Sequence, residues 1–114
     1  MMSNTDSNPC IIYTTFPSVS DAEALGRRLV ESHLAACVNI LPQMISIYNW
    51  DKEIHRDDEC VMLIKTCSGH YDSIWEIFDK SHPYDTPAFF ALKPSDGNPE
   101  FFDWIRQQTN FNGN

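Results

Sequence analysis

The chain has 114 residues, 42% of them hydrophobic, which is enough for one domain with a modest core and no need of disulfide or metal staples. Sixteen acidic against eight basic residues leave a net charge of -8; that charge repels phosphate backbones, so no nucleic-acid partner is expected, and it suits cations as well as plain solubility. No apolar run is long enough to span a bilayer, and the opening MMSNTDSNP has no basic region followed by an apolar stretch, so a cytoplasmic location without membrane contact is expected.

Residues 1–9 are polar and expected to be disordered, residues 109–114 form a flexible tail, and residues 10–108 make one structured domain. CIIYTTF (10–16) is short, β-branched and aromatic, and closed by Pro17, as suits a strand covered on both faces. A helix follows. Ser20 with Glu23 reads as its capping box, and Ala22, Leu25 and Leu29 share one face. CVNILPQMISIYNW (37–50) is extended, with a bulge or bend expected at Pro42 and an edge position in the sheet. The polar DKEIHRDDE (51–59) reads as a long connection into CVMLIKT (60–66), a continuous apolar run expected to be a central strand.

In SGHYDSIWEIFDKS (68–81), Tyr71, Ile74 and Phe78 stand at helical spacing with Ser68 as cap. His82 precedes Pro83, which pushes it out of the helical region and ends the helix; there an imidazole can cap the last carbonyls. PAFFALK (87–93) makes a short strand, and Asn98 with Pro99 opens a last short helix. The order is that of an α+β, ferredoxin-like split βαβ sandwich: an antiparallel sheet, helices on one face, a short extra C-terminal helix, and the first and third strands central.

Cys10, Cys37, Cys60 and Cys67 lie in or beside apolar stretches and read as reduced, mostly buried thiols. No Cys-x-x-Cys or His-Glu-x-x-His spacing occurs, Cys60 and Cys67 fall on opposite strand faces, and His33 and Cys37 straddle a helix boundary, so no local zinc site forms. Asp51, Glu53, Asp57, Asp58 and Glu59 could attract a hard cation, but they lack the calcium-loop pattern and suit a solvated turn. With no matched nucleophile and base, an enzyme is not expected. Tyr48, Trp50, Tyr84 and Trp104 are aromatics with polar tips, which suit an interface, and a small sheet leaves edges to be paired.

Taken in order, AACVNILP, SIYNW, the glutamate at 59, IKT, HPYDTP and FFDW resemble the CutA family of divalent-cation tolerance proteins over about residues 10–107. The resemblance implies a homotrimer assembled by strand pairing between subunits. Its intersubunit cleft would gather Tyr48, Trp50, Glu59, Lys65, His82, Tyr84 and Trp104. It also implies Cu(II) binding by a first-strand cysteine, the histidine of HPY and a glutamate after the second proline; those positions hold Thr14, His82 and Ala88 here. His82 is then the one metal ligand carried over, with Glu59 or Asp85 as candidate partners. Lys52 stands where the family usually has glycine. The expected function is divalent-cation (copper) tolerance with weak Cu(II) binding through His82 and no required cofactor. The alternative is a trimeric signalling or binding scaffold whose cleft takes a small anion or a peptide.

Overall fold

The computed structural model describes residues 5–111. The elements are β1 (Pro9–Phe16), α1 (Val19–Glu31), β2 (Cys37–Trp50), β3 (Glu53–Cys67), a 3-10 turn (Ser68–His70), α2 (Tyr71–Ser81), β4 (Phe89–Leu92) and α3 (Pro99–Gln108). Neighbouring strands are antiparallel in the order β2-β3-β1-β4, so β1 and β3 are central and β2 is an edge. This is the expected α+β ferredoxin-like sheet.

Strand alternation sorts the core into two. Cys10, Ile12 and Phe16 of β1 and Cys60, Met62 and Ile64 of β3 pack with Leu25 and Leu29 of α1 and Ile74 and Phe78 of α2. Cys67, one step out of that alternation, instead packs with Ala36 and with Ile105 of α3. α3 therefore covers one end of the sheet's other face, and the expected separation of Cys60 from Cys67 holds.

Local chemistry sets the helix ends. The N-cap of α1 is Ser18, not Ser20: its hydroxyl oxygen accepts from the Asp21 amide, because Pro17 ends the strand and leaves Ser18 extended. α1 closes with His33 at φ 63° and bonds from the His33 and Leu34 amides to the Val30 and Leu29 carbonyls, a left-handed cap made without glycine. Gly26 lets α1 lie close to β2; a Cβ there would stand 2.8 Å from Val38 Cγ2. Ser68 does not cap α2 as expected. It starts the 3-10 turn, its amide bonds the Asn8 carbonyl, and its hydroxyl is buried without a partner. Asn98 does cap α3, accepting from the Glu100 amide, with Pro99 at the first turn.

The expected long polar connection is a correction: Glu53 to Glu59 are strand, paired with β2 out to Trp50–Glu53, and the turn is Asp51 and Lys52 alone. Both turn residues have positive φ, 52° and 67°, the conformation whose twist suits a two-residue hairpin. The expected irregularity at Pro42 is present as a register shift between Leu41 and Met44. The hairpin makes the molecule elongated, 50 × 26 × 26 Å.

At the chain ends, residues 1–4 and 112–114, part of the segments expected to be disordered, lie outside the described residues. Inside them, the Asp6 and Asn8 carbonyls accept from Gly69 and Ser68, Arg106 Nε donates to the Ser7 carbonyl, and Pro9 already pairs with Cys67. Thr109 is fully buried, and Phe111 packs on His70.

Candidate functional site

Where β2 and β3 leave the body of the sheet, residues 82–88 cross beside them. An open cavity of about 390 Å³ lies between, lined by Thr15, Tyr48, Trp50, Asp57, Glu59, Tyr84, Thr86 and Ala88. The lining contains two carboxylates and no basic side chain. Tyr84 donates its hydroxyl to Glu59 Oε2 at 2.6 Å, and Tyr48 donates to Asp57 Oδ2. Burial, then the bond to Glu59, pushes the Tyr84 hydroxyl pKa up; for Tyr48 the bond to Asp57 is the main cause of a rise. A second opening of about 540 Å³ lies at the β2 irregularity and shares Glu59.

His82 stands behind Tyr84. Its backbone is extended (φ -72°, ψ 139°), as a residue before proline must be, and its amide bonds the Phe78 carbonyl to close α2. The ring does not cap α2, as had been expected. It stacks on Phe16 at 4.4 Å and reaches across to β1, with Nε2 2.7 Å from the Thr15 carbonyl. The Tyr84 amide donates to Nδ1 at 3.0 Å, so Nδ1 carries no proton and Nε2 donates to Thr15. Both nitrogens of the neutral ring are occupied. Burial lowers the His82 pKa, against smaller upward effects from the Thr15 carbonyl and the Asp21 and Glu59 charges.

One chain thus gathers Tyr48, Trp50, Glu59, His82 and Tyr84, and keeps Lys65 and Trp104 apart from them. The Lys65 ammonium lies over the Phe101 ring at 5.4 Å, and Phe101 stacks on Trp104. Lys65 is six residues from Glu59 along β3, about 20 Å. The two groups can share a cleft only between copies. Thr14 is fully buried on the helix side of the sheet with its hydroxyl unpartnered, Ala88 is at the cavity rim, and Asp85 is exposed. Among the described residues, no three His, Cys, Asp or Glu side chains gather as a metal site.

All four cysteines are free thiols, three of them buried; burial pushes Cys10 up to about 11 and raises Cys60 and Cys67. His33 is not paired with Cys37; its Nδ1 lies 3.2 Å from the Gln108 carbonyl. Sequence reasoning missed the tyrosine–carboxylate bonds. The signal was the alternation of Asp57 and Glu59, which is visible once residues 53–59 are recognised as strand.

The family model described as CutA1 divalent ion tolerance protein matches residues 10–108. The divalent-cation tolerance protein CutA of Thermus thermophilus is 39% identical over 99 residues, covering 87% of this chain and 96% of its own. A solved structure of the divalent cation tolerance protein from Thermus thermophilus superposes with a TM-score of 0.85 at 39% identity, covering 89% of this chain and 98% of that one. Protein CutA of Mus musculus is 39% identical over 97 residues, 85% of this chain, which spans 55% of the mouse protein's length. An Arabidopsis thaliana relative, 31% identical over 87% of this chain and 54% of its own length, is named Protein CutA, chloroplastic.

Proposed function

Because the chain belongs to the CutA1 divalent ion tolerance family, we propose that it acts in divalent-cation tolerance as a homotrimer with its ligand site in a cleft between subunits. The observation that carries this reading is the amount of apolar surface one chain leaves open. Leu41, Ile45, Ile47, Trp50, Ile54, Phe90 and Leu92 are each between 46% and 71% exposed, on the hairpin and on the part of the outer sheet face that α3 leaves open. So long a hairpin and so bare a face suit burial against other copies. In the proposed trimer the Lys65 and Trp104 end of one copy would meet the Glu59 and Tyr84 end of another. Light scattering at micromolar concentration is expected to give three times the chain mass; a monomer would overturn both the trimer and the cleft.

The ligand proposed for that cleft is Cu(II), held weakly through His82. Binding at Nδ1 requires the Tyr84 amide to leave the lone pair it occupies, which accounts for a modest affinity. A Cu(II) titration followed by electron paramagnetic resonance should show a nitrogen-coupled component that is lost in His82→Ala. The occupation of both ring nitrogens favours a second reading, a trimeric scaffold whose cleft takes a small anion or a peptide. Identical spectra from wild type and His82→Ala would select it.

A further inference from the structure

The four histidines differ in what their rings have left to offer. His33 Nδ1 lies on the Gln108 carbonyl, His70 Nε2 on the Thr109 carbonyl, and His82 is occupied at both nitrogens. Among the described residues, His55 has no hydrogen-bond partner at either nitrogen; its contact is a ring stack on Tyr48 at 5.5 Å and 21°. His55 is partly exposed, in the outer part of β3.

Strand alternation puts His55 and Asp57 on the same face of β3, about 7 Å apart along the strand. Arg56 between them faces the other way, where it meets Asp58 at 3.7 Å. Among the described residues, no lysine or arginine is within ion-pair distance of Asp57, so its charge is uncompensated by a cation. Tyr48, directly opposite His55 in the ladder, touches both groups: its ring lies on the imidazole and its hydroxyl donates to one Asp57 oxygen. The second carboxylate oxygen and the imidazole nitrogens remain available.

We propose that His55 and Asp57 form a binding site for a borderline transition-metal dication, Cu(II) in preference to Ni(II) or Zn(II), on the face of the hairpin and apart from His82. An imidazole nitrogen with a carboxylate oxygen is a donor set for these ions, and Cu(II) binds such sets most strongly among them. Two protein ligands with water in the remaining positions give a modest affinity. Tyr48 acts as the outer partner that holds ligands in place before the ion arrives. The proposal does not depend on His82 binding metal.

The test is calorimetric titration of the full chain with CuCl2 in a non-chelating buffer, on wild type, His55→Ala, Asp57→Asn, Tyr48→Phe and His82→Ala. His55→Ala and Asp57→Asn should each weaken a wild-type site at least about tenfold, and Tyr48→Phe, which keeps the ring and loses the hydroxyl, by about tenfold. His82→Ala should leave that site in place. Asp57→Asn is nearly isosteric on an exposed residue, so a folding defect does not stand in for lost affinity. Loss in His82→Ala with none in His55→Ala would overturn this site and leave the cleft copper site standing; wild-type binding in every variant would overturn both.

Discussion

The hydroxyl of Thr14 has no exposure and no hydrogen-bond partner, a cost that valine, of the same shape, would not carry. Thr14→Val is expected to raise stability by about 1 kcal/mol in urea unfolding; a loss of that size would mean the hydroxyl is bonded after all. His82 sets a pH dependence. Its folded pKa lies below the ordinary value of 6.5, so between the two values the unfolded chain binds more protons than the folded one. Stability therefore rises with pH across that interval and falls as pH drops below 6.5. Urea midpoints at pH 5 and 7.5 should differ more for wild type than for His82→Gln; equal differences would assign the dependence elsewhere. At this scale, sequence could place His82 at the end of α2 and out of helical conformation, because that follows from the next residue. It could not place the ring, because Thr15 is 67 residues away.

The two-residue turn of the β2–β3 hairpin holds Lys52 at φ 67°, a region costly for any side chain with a Cβ. Lys52→Gly is expected to stabilise the protein by up to about 1 kcal/mol, read as a higher urea midpoint with an unchanged slope. Gly26→Ala should do the opposite. The about 1 kcal/mol that alanine brings to a helix interior is outweighed by a methyl pressed against the stiff Val38 side chain, with a net loss of about 1 kcal/mol. Removing the obstacle with Val38→Ala should reverse the sign of the Gly26→Ala effect. Elements were most legible where residue type and period agreed: the apolar β1, the inner half of β3, and the Asn98–Pro99 start of α3. The outer half of β3 was misread as a connection because both its faces are open, so its polar residues give no inward period to follow.

For the whole molecule, the order of elements was enough to deduce the sheet and its two central strands, since connections and helix placement leave few alternatives. That α3 crosses to the other face was not legible, because Cys67 and Ile105 show their partnership only when folded. Assembly offers a test at the same scale. Lysine at Ile47 and Ile54, 71% and 70% exposed in one chain, is expected to shift the proposed trimer toward monomer in sedimentation, since burying either charge against a neighbour would cost several kcal/mol; an unchanged mass would place the proposed interface elsewhere on the chain.

The position of β1 at the centre of the sheet also has a consequence for synthesis. The strand made first waits for both of its neighbours: β3 does not begin until residue 53, and β4 ends at residue 92. At ordinary translation speeds the ribosome needs on the order of 5 to 15 s to travel from Phe16 to Leu92. Until β3 emerges the nascent chain carries an apolar ribbon with two bare edges, and one edge stays bare until β4 follows, while the β2–β3 hairpin can zip up locally as soon as it emerges. A pulse-labelled stalled chain ending before β4 should therefore be held by chaperones at β1, whereas the hairpin should already resist protease.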